Sequence, residues 1–188
     1  MISHLKNLFN NGYDNGGDVT AICENESITV HAWVLVECSE YYESVVPSSI
    51  IYLKQYNSNI VKLLFRILYS EDIRLDIPLN FKDGIKFFEL VKMLILKVDI
   101  TLFCENIMEN LKKKVTNENF MDILYLMHDI KNPYIDNIRY HIVTNIKCNE
   151  ETYHIITNHI KNNEVCRLYK LLLDTKDKSL PHYMFRHD

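Results

Sequence analysis

The amino-acid sequence predicts an α+β protein in which a small β-sheet is flanked by a helical cluster and followed by an all-α region. Three observations support this prediction. Two short β-rich runs lie close together at the start of the stretch 18–43. Directly after His31, the apolar residues change from strand spacing to helix spacing. From Thr116 onward they follow helix spacing.

The two β-rich runs predict a hairpin that leads into two short helices. The first run spans residues 19–22 and the second spans 28–30, with Glu24-Asn25 between them. β-branched residues suit a half-buried pleated surface, whereas Asn and Glu suit a turn. Ser39 is a residue type that begins helices, and Tyr41-Tyr42 follows it. We therefore expect the rest of the chain to pack on this unit.

This stretch resembles the core of a BTB/POZ domain. In that family an Asp-Val pair lies on the first hairpin strand, Ala-His ends the second strand, and a helix with Val-Leu precedes Ser-x-Tyr/Phe-Phe. The matching residues are Asp18-Val19, His31 followed by Ala32, Val34-Leu35, and Ser39-Glu40-Tyr41-Tyr42. The resemblance identifies Asp18, His31 and Ser39 as the structural signature of the fold. It departs at Val30, where the family has a small residue.

The sequence predicts particular roles for the side chains of Trp33 and His31. The family usually has Lys or Arg after this His, which forms a charged pocket with the Asp of the first strand; we expect Trp33 to replace that cation. Trp33 either anchors a partner on the surface or lies in a subunit interface or the core. We expect the His31 ring to be structural, with a ring N–H donating to a backbone carbonyl.

The N-terminal segment is predicted to be a short amphipathic helix over residues 2–10, followed by a glycine-containing loop. Its apolar face is Ile2, Leu5, Leu8 and Phe9. A helix this short needs its apolar face buried. By the resemblance, these four residues and Trp33 form the interface of a homodimer. The alternative is that Leu5 and Phe9 pack within one subunit.

The remaining elements of the BTB-like region follow from spacing. They are a strand over 49–53, a helix capped by Asn57 or Ser58 and ending near Leu68, an edge strand over 73–77, a helical pattern from Phe81 through Val98, and a helix restarted by Asp99 or Thr101. The buried face of that last helix is predicted to include Leu102. The resemblance places the BTB domain at residues 1–115.

The helical region that follows begins with a predicted capping box of Thr116 and Asn119, ahead of an apolar face that includes Leu126. Pro133 suits the first turn of the next helix. Two more helices are predicted between residues 149 and 173. Residues 116–176 resemble a shortened BACK region, the domain that follows BTB in BTB–Kelch proteins, here without Kelch repeats. The tail 177–188 has no periodicity and is expected to be loosely ordered.

By the resemblance, the protein is a homodimeric protein–protein interaction module and an adaptor or decoy for host cullin–RING ubiquitin ligases. Such adaptors carry a hydrophobic-x-Glu motif before the next strand, but the loop 45–49 lacks Glu. We expect Tyr42, Val45 and Val46 to form the remaining partner surface. The alternative is a self-assembling scaffold that dimerises without binding a cullin.

Composition excludes several other classes of function. The formal net charge is −4, so no basic field attracts nucleic acid. No apolar run reaches the roughly 18–20 residues that span a membrane, and the N-terminus lacks a signal peptide. We therefore expect the protein in the cytosol or nucleus. High Asn, Ile, Lys and Tyr content is typical of an AT-rich genome such as that of a large DNA virus.

No enzyme, metal or cofactor site is expected. The sequence lacks a phosphate loop, a nucleophile elbow and paired catalytic carboxylates. Eight histidines occur, but no H-x-x-x-H or C-x-x-C spacing. The five cysteines are odd in number and widely spaced, which indicates buried thiols rather than disulfides.

Overall fold

The computed structural model of the protein describes residues 17–45, 48–69, 79–127 and 129–146. The chain divides into two compact units, Met1–Asn110 and Leu111–Asp188. All three described strands belong to the first unit. The predicted domain boundaries after residues 115 and 176 stay predictions.

The sheet of the first unit has the strand order β2-β1-β3. β1 (Val19–Cys23) pairs antiparallel with β2 (Ser27–Val30) and parallel with β3 (Ile50–Leu53). Successive side chains of a strand point to opposite sides of the sheet, so burial alternates along each strand. The buried face consists of Val19, Ala21, Cys23, Ile28, Val30, Ile51 and Leu53. The predicted hairpin and third strand are confirmed.

The hairpin turn is tied to the helix α3 (Ser58–Leu68). The Asn25 Oδ1 atom accepts a hydrogen bond from the Ser58 amide at 2.9 Å. Glu26 forms an ion pair with Lys62, one turn further along the same helix. The polar residues predicted to form the turn therefore also fix the hairpin to α3.

Gly17, which precedes β1, lies too close to β2 for any side chain. A Cβ atom there would lie 2.7 Å from the amide nitrogen and 2.8 Å from the carbonyl oxygen of Val30. Only glycine allows two backbone segments to approach so closely. Gly17 ends the predicted glycine-containing loop, and the structure shows a packing reason for glycine at this position.

Two short helices follow β2. They are α1 (Ala32–Cys38) and α2 (Glu40–Ser44), separated by Ser39 in an extended conformation. The Ser39 Oγ atom accepts from the Tyr42 amide at 3.3 Å, which satisfies one of the amides left unpaired at a helix start. The predicted helix start at Ser39 is confirmed.

α3 packs against β2 and against α4 (Phe81–Leu94). Asn57 caps it, because its Oδ1 atom accepts from the Asn59 amide at 3.0 Å. This result decides between the two predicted caps. The predicted apolar face is confirmed as buried: Ile60, Val61, Leu64, Phe65, Ile67 and Leu68.

α4 is shorter than predicted. Asn80 caps it through the Asp83 amide at 2.8 Å, and the helix ends at Leu94. The expectation that the helical pattern continues through Ile95 to Val98 is wrong. Ile95 adopts the left-handed conformation, with φ 47° and ψ 69°, which ends the helix. Ile95 and Val98 are exposed instead of buried.

α5 (Thr101–Lys112) begins at the predicted restart. The Asp99 carboxylate accepts from the Thr101 amide at 2.9 Å, and this bond lowers the pKa of Asp99 below its usual value. Leu102 is 58% exposed, so its predicted burial is wrong. The buried face includes Cys104 and Ile107, and Leu102 lies about 200° around the helix from Cys104.

The described part of the second unit contains α6 (Phe120–Met127) and α7 (Pro133–Asn145), which pack against each other. The predicted capping box is confirmed. The Thr116 amide donates to Asn119 Oδ1 at 2.8 Å, and Thr116 Oγ1 accepts from the Glu118 amide at 3.3 Å.

α7 begins as predicted, with Pro133 in its first turn and Asn132 as its cap. The Asn132 Oδ1 atom accepts from the Tyr134 amide at 3.0 Å. Leu126 of α6 is 46% exposed, so its predicted place on the buried face is wrong. The buried residues of the two helices are Phe120, Met121, Ile123, Leu124, Met127, Ile135, Ile138, Ile142 and Val143.

Several predicted segments lie outside the described residues. These are the helix over 2–10, the edge strand over 73–77, the helices between 149 and 173 and the tail 177–188. The described part contains a small three-stranded sheet with helices, followed by further helices. The predicted α+β class is confirmed.

Candidate interaction surface

The first turn of α1 is bound by the side chain of Asp18, the residue that directly precedes β1. Asp18 Oδ1 accepts from the Ala32 amide at 2.7 Å. Ala32 is the first residue of α1, and the His31 side chain makes no capping bond there. An amide at a helix start lacks a partner within the helix. A negative charge there is stabilised by the positive end of the helix dipole. Asp18 therefore fixes where α1 leaves the sheet.

His31 is bound twice by one buried hydroxyl. The His31 amide donates to the Tyr69 hydroxyl at 3.0 Å, and the His31 Nδ1 atom lies 2.7 Å from the same oxygen. The predicted structural role agrees with this arrangement, but the predicted backbone carbonyl partner is wrong. We call Asp18, His31 and Tyr69 the strand–helix junction.

Tyr69 was missed as a functional part of the junction. It directly follows α3 and is fully buried. Burial raises the pKa of the Tyr69 phenol to about 12, against the opposing effect of the hydrogen bond from His31. A buried tyrosine hydroxyl needs a polar partner, so a tyrosine at the end of an apolar helix indicates that a polar contact lies nearby. The partner lies 38 residues away in sequence, so spacing could not name it.

Trp33 lies beside the junction but on the surface. It is 42% exposed, and its ring centroid is 6.4 Å from that of His31. The alternative that placed Trp33 in the core of the chain is therefore wrong. The residue that follows His31 is Ala32, so Trp33 does not take the place of the family's cation. Asp18 binds the Ala32 amide instead of a cation at that position.

A second set of hydrogen bonds joins the α1–α2 connection to the turn after α4. Ser39 Oγ donates to the Leu94 carbonyl. The Glu40 amide donates to the Ile95 carbonyl at 3.0 Å, and the Lys97 amide donates to the Cys38 carbonyl at 2.9 Å. These bonds form a short antiparallel bridge between two segments that are far apart in sequence.

Lys97 strengthens this bridge with its side chain. Its Nζ atom donates to the Val36 carbonyl near the end of α1 at 3.0 Å. The same atom lies 3.0 Å from the Glu43 Oε2 atom of α2. One lysine thus contacts both short helices, because cations are favoured where helix carbonyls are unpaired.

The bridge joins the segment 41–45, which covers most of α2 and the residue after it, to the turn after α4, and both segments carry exposed apolar residues. Tyr41 and Val45 are 41% and 53% exposed, and Ile95 and Val98 are 53% and 37% exposed. We call these four residues the corner surface. Exposed apolar residues grouped on adjoining segments are typical of protein-binding sites, whereas single ones are common on any surface.

The outer face of the sheet carries a smaller exposed group. Ile50 and Tyr52 of β3 are 42% and 64% exposed. The Lys54 Nζ atom lies 5.4 Å from the centroid of the Tyr52 ring, within the range of a cation–π contact. The Lys54 ammonium group therefore lies over the Tyr52 ring on this face.

A family model for the BTB/POZ domain matches residues 5–112, which is more than half of the chain. The chain belongs to the BTB/POZ family. BTB domains are protein–protein interaction modules, and this membership assigns that general role to the protein. A search of curated proteins returns no significant match.

The three residues of the BTB signature fall into two places. Asp18 and His31 lie together at the strand–helix junction, one on each side of the sheet-to-helix connection. Ser39 lies in the bridge below α1, where it caps α2 and binds Leu94. The signature residues therefore fix the backbone of the BTB domain at both ends of α1.

The predicted partner surface needs one correction. Tyr42 is buried, and burial raises the pKa of its phenol to about 12, so it offers no surface to a partner. Its neighbour Tyr41 is exposed, with the two rings in edge contact at 5.0 Å. Val45 is exposed as expected, and Val46 lies outside the described residues.

The predicted dimer interface consists of four residues of the N-terminal segment and Trp33. The four N-terminal residues, Ile2, Leu5, Leu8 and Phe9, lie outside the described residues. Trp33 is the described member of that predicted interface, and its exposure leaves the ring accessible to a second subunit or another partner.

The described cysteines are buried thiols, as predicted. Cys23, Cys38 and Cys104 are free and buried. Burial raises the pKa of both Cys23 and Cys38 to about 11, which keeps them protonated and unreactive at neutral pH. Within the part of the chain that the structure describes, no three His, Cys, Asp or Glu residues group as metal ligands would. No helix among the described residues is long and apolar enough to cross a membrane.

Proposed function

We propose that the protein is a homodimeric BTB module that acts as an adaptor or decoy for host cullin–RING ubiquitin ligases. The corner surface is the observation that carries this proposal, because it offers exposed Tyr41, Val45, Ile95 and Val98 on a domain whose family binds other proteins. The loop 45–49 lacks the glutamate of cullin adaptors. In this proposal the exposed apolar residues of the corner surface contact the partner in place of that motif.

The domain organisation is part of the same proposal. The BTB domain spans residues 1–115, a shortened BACK-like region spans 116–176, and a tail spans 177–188. The division of the chain into compact units near residue 110 supports this arrangement. The composition supports an AT-rich large DNA virus as the source, and the cytosol or nucleus is the place of action in this proposal.

A pull-down with purified cullin tests the adaptor and decoy roles. The full chain should retain the cullin at micromolar concentration, and Tyr41→Ser should weaken retention at least tenfold. Tyr52→Ser is the matched control, because Tyr52 is an exposed tyrosine on the outer face of the sheet. Absence of binding at micromolar concentration rejects both cullin roles. Equal loss with the two variants rejects the corner surface as the site.

The second candidate is a self-assembling scaffold that dimerises without a cullin. The exposure of Trp33 supports it, since an exposed tryptophan is a frequent anchor of protein interfaces. In this arrangement Ile2, Leu5, Leu8 and Phe9 pack with Trp33 across the subunits. Light scattering should give a dimer for the natural chain, and a monomer for Leu5→Asp and for Trp33→Ser.

Both candidates are dimers, and they differ in whether the dimer binds a cullin. Tyr41→Ser should remain dimeric while it loses cullin, and Trp33→Ser should lose the dimer. A strictly monomeric natural chain rejects the homodimer in both candidates. A dimer that shows no cullin binding leaves the scaffold as the function.

A further inference from the structure

Ile95 is held in a conformation that its own side chain disfavours. Among the described residues it is the one non-glycine residue with a positive φ, at 47°. A β-branched side chain collides with the backbone in this region, whereas Gly or Asn adopts it readily. The flanking hydrogen bonds of the Leu94 and Ile95 carbonyls hold the turn in place. The backbone therefore favours a residue other than isoleucine here.

Packing does not explain the isoleucine either. The Ile95 side chain is 53% exposed, more than the neighbouring Val98 at 37%. A core residue offsets backbone strain by burying apolar area, but more than half of this side chain stays in water. Strained residues that persist on a surface occur mainly at binding sites, where the strain fixes a side chain for contact.

The charges around the corner surface indicate the partner's chemistry. Residues 37–45 and 95–99, all of which the structure describes, contain four carboxylates, Glu37, Glu40, Glu43 and Asp99, and one lysine, Lys97. Lys97 already contacts Glu43 at 3.0 Å. An apolar site with a negative rim attracts a segment in which an apolar residue is flanked by positive charges.

We propose that Ile95 is the apolar anchor of the corner surface, and that this surface binds an amphipathic partner helix whose leucine-like residues are flanked by lysine or arginine. This inference rests on the proposed function, because it uses the same surface, and it adds the partner's chemistry and the anchor residue. Tyr41 of α2 and Val45, which directly follows α2, complete the apolar contact.

A pair of synthetic helices tests the proposal with the full chain. Both peptides have about 16 residues with leucines at the same amphipathic positions; one has lysine and the other glutamate at all other positions. Fluorescence anisotropy should show binding of the leucine–lysine peptide, with at least tenfold weaker binding of the leucine–glutamate peptide. Binding should weaken as salt rises, because the rim acts through charge.

Ile95→Asn separates an anchor from a structural residue. Asn tolerates the left-handed conformation, so the melting temperature should stay unchanged or rise by about 2–4 °C, while binding of the leucine–lysine peptide falls at least tenfold. Ile50→Asn is the matched control, since Ile50 is an exposed isoleucine on the outer sheet face. It should bind like the natural chain.

The proposal is overturned by equal binding of the two peptides, by natural peptide binding of Ile95→Asn, or by equal losses with Ile95→Asn and Ile50→Asn. A lower melting temperature for Ile95→Asn also overturns it, because Ile95 would then be structural. If the chain binds the leucine–lysine peptide through Ile95 but binds no cullin, this inference stands and the cullin roles are rejected. A chain that binds cullin but not the peptide rejects only this inference.

Discussion

The strand–helix junction and the corner surface lie at opposite ends of α1, and they use hydrogen bonds to opposite effect. At the junction, Tyr69 is fully buried and binds both the amide and the ring of His31. At the corner, hydrogen bonds hold an exposed Ile95 in a strained conformation. The hydrogen bonds of the junction stabilise the fold, whereas those at the corner hold exposed side chains in position.

This difference assigns separate consequences to mutations in the two regions. A buried polar group that loses its partner is costly, since neither protein nor water replaces the bond. A partly exposed bond is replaced by water at little cost. Changes at the junction should therefore lower the stability of the domain, while changes at the exposed residues of the corner surface should alter binding with small effects on stability.

Alkaline pH should have the largest effect, and it should ionise the Cys38 thiol, next to Ser39 of the bridge, before the Tyr69 phenol of the junction. Burial, followed by the negative charge of Glu37, raises the pKa of Cys38 at the corner from 9.0 to about 11. Burial raises the pKa of Tyr69 at the junction from 10.0 to about 12. The unfolded chain releases these protons at the ordinary pKa values, so it binds fewer protons and stability falls as pH rises.

The Cys38 contribution is complete below pH 9.0 and lost by about pH 11, and the Tyr69 contribution is complete below pH 10.0 and lost by about pH 12. Urea unfolding at a series of pH values should show this progressive loss. Cys38→Ala should remove part of the loss in the lower window, and Tyr69→Phe part of that in the upper window. A stability that stays flat over this range contradicts the prediction.

Tyr69→Phe should be the most destabilising single substitution in this comparison at neutral pH. It leaves the His31 amide and ring without their buried partner, at a cost of about 1–3 kcal/mol in the free energy of unfolding. Urea unfolding measures this loss. Tyr52→Phe, at an exposed tyrosine, should change stability by less than about 0.5 kcal/mol. Similar results for the two variants would show that the junction bonds contribute little.

Ser39→Ala should have an intermediate effect, because Ser39 belongs to the BTB signature but lies in the corner bridge. The variant loses the cap of α2 and the bond to the Leu94 carbonyl, and stability should fall by about 0.5–2 kcal/mol. Thermal unfolding gives the change. Ser39→Thr keeps a hydroxyl and should recover most of the loss, whereas Ser44→Ala, on the exposed side of α2, should be nearly neutral. Failure of Ser39→Thr to recover stability would point to packing instead of hydrogen bonding.

Lys97→Met should have the smallest effect on stability. The Lys97–Glu43 pair is partly exposed, with side-chain accessibilities of 28% and 61%, and such pairs contribute about 0–1 kcal/mol. Methionine keeps the aliphatic stem, so the loss reports the charge together with the hydrogen bond to the Val36 carbonyl. The measured difference should shrink at high salt. A loss well above this range would show that Lys97 is part of the structural core of the bridge.

Spacing along the chain predicted the elements whose signals are local. The alternation in β1 to β3, the caps at Ser39 and Thr116, and the apolar face of α3 each depend on residues a few positions apart. The BTB resemblance joined these elements into a fold, because the order of Asp18, His31 and Ser39 matched the family. The α+β class was therefore predictable before any tertiary contact was known.

The details of the site were not predictable, for two physical reasons. The His31–Tyr69 pair joins residues 38 positions apart, and no local pattern encodes such a contact. Ile95 takes a conformation that β-branched residues disfavour, whereas the apolar spacing through Ile95 and Val98 predicted a continuing helix. The choice between Tyr41 and Tyr42 also failed, since a helix of five residues is too short for its period to show which side is buried.

The bridge between Ser39 and Leu94 also has a consequence for how the chain is made. Its partners are 55 residues apart, so a ribosome delivers the hairpin and both short helices well before the turn that secures them. Until residue 97 emerges, the Glu40 amide and the Cys38 carbonyl have only water as partners, and the closure of so long a loop carries an entropic cost. Nascent chains that end before this turn should keep α2 unsecured and the thiol of Cys38 reactive, which makes thiol labelling of stalled chains a direct readout of when the domain closes.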